Sequence, residues 1–391
     1  MVTDGAGKTA ALRDIAEVIE KIGADAAERD RGRVLPRDEL AELLRAGIGA
    51  LRVPARYGGY GASLPELAEV LVSLAAAESN LSQILRGHLG LVELLRQWPA
   101  GDQRDALLAS AGRGEFFGPA GAERTSSDLV SLGTTLVEED GRLFLRGRKY
   151  YTTGSLFADW LNVLVRHEGR FQAVVVRRGS PGLEVIDDWD GFGQRLTASG
   201  TAVFDRVPVD PGYVFPHDNP EVNDFAEAFY QFVHSATQAG IIRRLADDLA
   251  EVVRGRTRSY PLAPTQEPRE DPQVLGVVGE VHSRAFSARA NVLLLAATLR
   301  DAAGRPEVLR RALVESAATQ VVNTRLVGEA SWLAFDAGSA SATRAALGLD
   351  RHWRNARTVS SHNPAIYKAA LVGRYAVTGT VPGGFLNSPV T

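Results

Sequence analysis

The sequence predicts an α+β chain in three parts: helical, then β, then helical again. Three observations carry this. Apolar residues recur at helical spacing through 1–112, short β-branched and aromatic runs crowd 113–222, and three long helical patterns fill most of 223–391. That density of short strands suits a small barrel or sandwich. Helical patterns near or beyond 25 residues pack as a bundle.

The elements follow in order. Ile15, Val18, Ile19 and Ile22 repeat at spacings of three and four, one face of a first helix. Pro36 opens a second helix and Gly47 ends it. Val53 to Gly61 is a glycine-rich loop. Ser63 and Glu66 form a capping box for a helix over Leu64–Ala77, with Pro65 in its first turn. Another helix spans Leu81–Gln97. The texture changes near Gly114. Strands are expected over Leu129–Glu138, Gly141–Thr153, Trp160–Val165 and Phe171–Val176, with Asp140-Gly141 as a hairpin turn. Helices are then expected over Phe225–Val253, Gln273–Leu299 and Pro306–Phe335. The segment Arg254–Pro272 reads as an ordered loop, and Pro364 starts the last helix.

Composition narrows the function. Lys plus Arg is 44 and Asp plus Glu is 47, a net charge of −3, which gives no global pull toward nucleic acid or anionic membrane. Cysteine is absent, which excludes disulfides, thiolate metal sites and cysteine nucleophiles. Met1 is the one methionine. The start lacks the basic-then-apolar order of a signal peptide, and no apolar run reaches the ~18 residues of a membrane span. A cytoplasmic protein without nucleic-acid or membrane partners is expected. Gly5-Ala6-Gly7-Lys8-Thr9 has the look of a phosphate loop, but the earlier glycine of that motif falls on Val2 and no strand precedes it. The seven histidines show no helical pair four apart, so no metal site is expected.

Four stretches support a family resemblance. They are Val53-Pro54 through Tyr57-Gly58-Gly59, Gly147 through Gly154 (Gly-Arg-Lys-Tyr-Tyr-Thr-Thr-Gly), Asp188 through Gly200, and Asp350 through Arg357 followed by His362. In that order and spacing the chain resembles the acyl-CoA dehydrogenase superfamily over nearly its whole length. Within it, the chain looks like flavin-dependent monooxygenases of the dibenzothiophene monooxygenase type. The resemblance implies an N-terminal helical domain (1–112), a middle β-barrel (113–222) and a C-terminal four-helix bundle (223–391), assembled as a homotetramer. It also implies FMN, delivered reduced by a separate NAD(P)H-dependent flavin reductase. By this resemblance a flavin C4a-hydroperoxide puts one oxygen atom into a small substrate with sulfur, nitrogen or aromatic carbon.

The resemblance also assigns residues. The dehydrogenases carry a carboxylate over the flavin ring. The stretch Thr358–Pro364 has no Asp or Glu and has His362 instead. Imidazole titrates near neutrality and can take and return a proton, so His362 is the expected catalytic residue. Some relatives hold a second histidine where this chain has Val359, which argues against any mechanism needing two histidines. Thr152 and Thr153, at a strand end, are expected against the flavin N5–O4 edge. Phe117 and Gly118 are expected near the flavin, although Pro119 lacks an N–H where relatives often have asparagine. Arg258 is the expected phosphate ligand. His88 is expected to reach the substrate pocket. Arg351, Arg354 and Arg357 are expected to support the loop over the flavin and to pair with acids.

Two other functions remain open on the sequence. One is an FAD-dependent acyl-CoA dehydrogenase whose base comes from an earlier helix, where Glu227 and Glu251 lie. The other is a flavin-free binding or assembly module.

Overall fold

The structure is a computed structural model, and it describes residues 5–124, 132–381 and 387. The N-terminal helices are α1 (Gly5–Ile22), α2 (Ala26–Gly32), α3 (Arg37–Arg45), α4 (Leu64–Ala77), α5 (Ser79–Gln97) and α6 (Asp102–Gly112). Ile15, Ile19 and Ile22 of α1 are buried as their spacing requires. Lys8 sits in the first turns of α1 and pairs with Glu66 at 2.9 Å, so the phosphate-loop look of that segment is helix. Ser63 and Glu66 make both bonds of the capping box, with Pro65 in the first turn of α4. Helices α2 and α6 are too short and polar in pattern to show a clear stripe in sequence, and they add to the expected set.

The strands are β1 (Phe117–Ala120), β2 (Thr135–Glu139), β3 (Arg142–Tyr150), β4 (Trp160–His167), β5 (Arg170–Arg177), β6 (Leu183–Ile186), β7 (Thr201–Val209) and β8 (Val214–Pro216). They form two four-stranded sheets, β1-β4-β5-β8 and β2-β3-β7-β6. Among the described residues only the β1–β4 pair is parallel. The inner faces share one core, with Leu136, Leu145, Val163, Val174 and Phe204 in a single buried cluster. Asp140 and Gly141 both have positive φ (51° and 71°), as a two-residue type I′ hairpin demands. The expected strand over Leu129–Glu138 is described from Thr135 on; residues 129–131 lie outside the described residues. The expected strand over Gly141–Thr153 stops at Tyr150, because Tyr151 takes φ 67° and leaves the ladder.

The C-terminal helices are α7 (Pro220–Arg254), α8 (Pro272–Arg300), α9 (Pro306–Gly338), α10 (Asp350–Ser360) and α11 (Ala365–Thr378). Asn219 caps α7 with its side-chain oxygen, and Pro220 at the first helical position lengthens the expected helix by a turn. Helix α7 lies at the centre, packed on α8, α9, α4 and α5. That explains why it is buried nearly all round from Phe229 to Ile242. Among the described residues no helix is long and apolar enough to cross a membrane.

Candidate functional site

The turn after β3 is built first by the backbone. Thr152 sends both its N–H (3.1 Å) and its hydroxyl (2.9 Å) to the Gly200 carbonyl. Thr153 Oγ lies 2.7 Å from Ser199 Oγ, Ser199 Oγ lies 2.7 Å from Thr197 Oγ, and Thr197 donates to the Gln194 carbonyl at 2.8 Å. A hydroxyl has one hydrogen to give. Thr197 gives its own to Gln194, so Ser199 must donate to Thr197 and Thr153 to Ser199. Thr153 Oγ is thereby left with lone pairs only. Gly154 continues the turn with φ 79°, and a Cβ there would stand 3.0 Å from Ile84 on α5. The Thr-Thr-Gly turn is therefore seated on α5.

The end of β1 meets α5 through His88. Its ring is fully buried between Phe116 and Phe117, at centroid distances of 5.2 and 5.3 Å. The Phe117 N–H donates to His88 Nδ1 at 3.1 Å, so His88 Nε2–H donates to the Gly49 carbonyl at 2.8 Å. Burial pushes its pKa down to about 4 against the opposing Gly49 bond. With both nitrogens engaged, His88 offers nothing to a substrate. The expected substrate contact is corrected to a tie between α5, β1 and the Gly49 loop. The same bond occupies the Phe117 N–H. Gly118 packs on Ser155, whose hydroxyl donates to the Pro119 carbonyl at 2.8 Å. Phe117 and Gly118 are thus placed beside the Thr-Thr-Gly turn, but without a free donor on Phe117.

His362 follows α10, in the turn before α11. The turn is pinned from two helices. Gln320 Nε2 on α9 donates to the Asn363 carbonyl at 2.7 Å, and Asn363 Nδ2 donates to Gln231 Oε1 on α7 at 3.3 Å. Arg86 of α5 reaches His362, with Nη2 2.7 Å from Nε2. Guanidinium can only donate, so Nε2 accepts and the ring proton of a neutral His362 sits on Nδ1. Desolvation by the protein around it, and then the Arg86 charge, hold the His362 pKa down at about 3. The residue is nonetheless exposed overall, so its ring is crowded rather than enclosed.

Two residues here escaped the sequence reading. Arg86 is one, a cation in the middle of the largely buried α5. His234 of α7 is the other. Its ring centroid is 4.4 Å from that of His362. It is 2% exposed, and neither ring nitrogen has a partner among the described residues. Burial, then Arg86 and His362, push its pKa well below the usual value. A second imidazole is therefore present, supplied by α7 rather than from position 359. The signal in sequence was the polar set His234, Ser235, Thr237 and Gln238 between the apolar runs Phe232-Val233 and Ala239–Ile242.

Among the described residues no carboxylate pairs with Arg86, His362 or His234. Ser360 donates to the Ala356 carbonyl at 2.7 Å and accepts from Gln238 Nε2 at 2.9 Å. Glu227 pairs with Lys368 at 2.8 Å, and Glu251 pairs with Arg254 at the exposed end of α7. The Arg-rich run is helix α10. Arg351 and His352 both meet Asp248 Oδ2, at 2.7 and 2.8 Å, and Arg354 meets Asp30 at 2.5 Å and Asp350 at 2.8 Å. Arg351 and Arg354 thus pair with acids as expected. Asn355 of α10 accepts from the Gln194 N–H at 2.7 Å, which ties α10 to the loop carrying Thr197 and Ser199. A small cleft, about 20 Å³, lies at Glu78, Ser79, Arg351 and His352, and neither His362 nor Thr153 lines it. Arg258 is exposed in the segment between α7 and α8, and its backbone carbonyl accepts from Arg256. It is not brought to the other residues within this chain.

Comparison with known proteins adds the following. The acyl-CoA dehydrogenase N-terminal domain matches residues 9–115, the middle domain 121–207 and the C-terminal domain 232–365. The chain is 29% identical over 383 residues to a dibenzothiophene monooxygenase of Rhodococcus qingshengii, covering 93% of this chain and 92% of the relative. It is 26% identical over 386 residues to a protein of Pseudomonas putida named "probable FMNH2-dependent monooxygenase", covering 95% and 96%. FMN-bound TdsC from Paenibacillus sp. A11-2 superposes with a TM-score of 0.90 at 27% identity, over 97% of this chain and 100% of that one. Methanesulfinate monooxygenase of Pseudomonas fluorescens superposes with a TM-score of 0.89 at 26% identity, over 96% and 99%.

Proposed function

The chain belongs to the acyl-CoA dehydrogenase family, and from that premise we propose that it is an FMN-dependent, two-component monooxygenase. It transfers one oxygen atom to a small substrate, with sulfur the favoured atom and nitrogen or aromatic carbon the others. One observation carries the reading. His362, Arg86 and His234 come together at the turn after α10, and the side chains around them among the described residues are Ser360 and Gln238 rather than an acid. A dehydrogenase must remove a proton from carbon and needs a base there. Neutral imidazole hydrogen-bonded to a guanidinium serves an oxygenase better.

FMN, when bound and reduced, supplies the electrons that activate dioxygen. The residues present fit such a group. Thr153 Oγ has only lone pairs to offer, which suits an N–H on the ring edge of a reduced flavin. Thr152 holds the turn rigid through Gly200. Phe117 and Gly118 contribute shape beside it. His362 is neutral with its proton on Nδ1, so it can donate a hydrogen bond to a developing oxyanion without giving up the proton. Arg86 sets that tautomer. Arg258 is the proposed phosphate ligand, a mobile-length guanidinium suited to a dianion.

The proposal includes a partner. A separate NAD(P)H-dependent flavin reductase supplies reduced FMN, in keeping with the name of the Pseudomonas putida relative. The protein works in the cytoplasm, where reduced nicotinamide is available. Its state is a homotetramer. Phe286 and Leu294 of α8, Trp332 of α9, and Ile366 and Tyr367 of α11 are all exposed, an apolar surface that assembly would cover. The test is direct. Purified protein with substrate and oxygen should form no oxygenated product, and product should appear when FMN, NADH and a flavin reductase are added. Turnover without any flavin source would overturn the reading.

A further inference from the structure

Arg86 raises a question that oxygen transfer alone does not answer: what offsets its charge. It is half-buried, its pKa is lowered only to about 10 by desolvation, and it stays cationic at neutral pH. Among the described residues no Asp or Glu forms an ion pair with it. Its two neighbours are neutral. One is His362 Nε2 at 2.7 Å, and the other is the Tyr230 ring, 4.9 Å below the guanidinium carbon. That stack is built in by sequence. A Cβ on Gly90 would come within 2.0 Å of the Tyr230 ring, so glycine is what lets Tyr230 lie against α5 beside Arg86. The arginine is held in place rather than free to seek water.

The groups around it are also incompletely satisfied. Both ring nitrogens of His234, the Ser235 hydroxyl and the Gln238 carbonyl oxygen are buried without partners. They sit on consecutive turns of α7, beside His362 and Ser360. Buried polar atoms left this way fit a polar ligand. The nearby cation Lys368 is already matched by Glu227 at 2.8 Å, so the excess positive charge of the group is that of Arg86.

Resting on the oxygenase reading above, we propose that Arg86 is a substrate-recognition residue and that the substrate is a small organic anion with a sulfinate or carboxylate head. The head group takes the two guanidinium N–H groups in place of His362 Nε2. His362 is then released toward the reacting atom, with the His234 ring behind it at 4.4 Å between centroids. Neutral aromatic substrates lack the charge this arginine asks for.

Equilibrium binding tests this apart from turnover. Protein loaded with oxidised FMN is titrated with methanesulfinate, acetate and neutral dimethyl sulfone in a calorimeter. At least one of the two anions should bind tenfold or more tighter than the sulfone, and whichever anion is tighter identifies the head group. The preference should weaken with added salt. Arg86→Gln should erase it, Arg86→Lys should keep part of it, and FMN affinity should be the same in all three proteins. Equal binding of the sulfone and both anions by the wild-type protein overturns the proposal and requires no variant. Loss of FMN by Arg86→Gln also overturns it, because the arginine then belongs to the cofactor. Neither result touches the reductase-dependence test, so the oxygenase reading stands or falls separately.

Discussion

Two arginine–histidine groups in this molecule look alike in sequence and differ in charge. At α10, Arg351 and His352 share Asp248, Arg244 meets the other oxygen of the same carboxylate at 2.7 Å, and Arg354 is matched by Asp30 and Asp350. At α5 and the turn after α10, Arg86 meets His362 and His234 with no acid between them. The first group is balanced and fastens α10 to the first helices and to the loop before β7. The second is unbalanced, and folding alone gives no reason to place a cation there. Charge left uncompensated marks where a ligand is expected. Counting arginines could not separate the two groups; their partners do.

The largest effect should come from breaking the balanced group. Burial raises the Asp248 carboxyl, but the His352 hydrogen bond and the Arg351 and Arg244 charges outweigh it and hold it well below the usual range. Asp248→Asn should lower the unfolding free energy by about 3 kcal/mol, because two cations and a histidine lose their partner. Arg86→Met should change it by less than about 1 kcal/mol, since no acid is stranded. Urea unfolding of both variants checks the contrast, and equal losses would erase the distinction.

A chemical effect should follow in the unbalanced group. His362→Ala should lower oxygenated product about 10²-fold while hydrogen peroxide release from reduced FMN persists. Product coupled to NADH use as in the wild-type protein would clear His362 of its role.

The smallest effect is in pH. Burial, and then the Arg351 charge, lower the His352 pKa to about 4 against its bond to Asp248. His88 is lowered to about 4 by burial alone. Both are depressed below the unfolded value of 6.5, so the unfolded chain binds more protons in that window. Stability is full above pH 6.5 and falls as pH drops toward 4, by at most about 1.4 kcal/mol per pH unit for each histidine. His352→Gln should flatten the profile between pH 6 and 4.5 relative to wild type. A profile unchanged in slope would show that His352 already carries a proton in the fold.

Much of the fold was legible because it is written locally. The capping box at Ser63, the Asp140-Gly141 hairpin and the spacing of α1 each depend on neighbours in sequence. The strands β6 to β8 were not legible. Strand β7 carries Pro208, which argues against a strand until its partner β3 is seen, and its Arg206 takes a positive φ of 54°. The site was legible in part. His362 and the Thr-Thr-Gly turn sit in recognisable motifs, and the acyl-CoA dehydrogenase fold expected from them is the one observed. Arg86 and His234 lie in helices whose pattern is set by burial, and only the packing of α5 on α7 brings them to His362. His88 misled for the same reason, since its two backbone partners are distant in sequence.

The direction of the hydroxyls from Thr153 to the Gln194 carbonyl has one more consequence. All three hydrogens run inward, so, were FMN held here as proposed, the outer oxygen would accept from a ring edge that carries a hydrogen and would have nothing to give to one that has lost it. In the proposed cycle that asymmetry acts as a turnstile. The loaded ring would be gripped on arrival and the exhausted ring let go, as suits the proposed supply of reduced flavin by another enzyme.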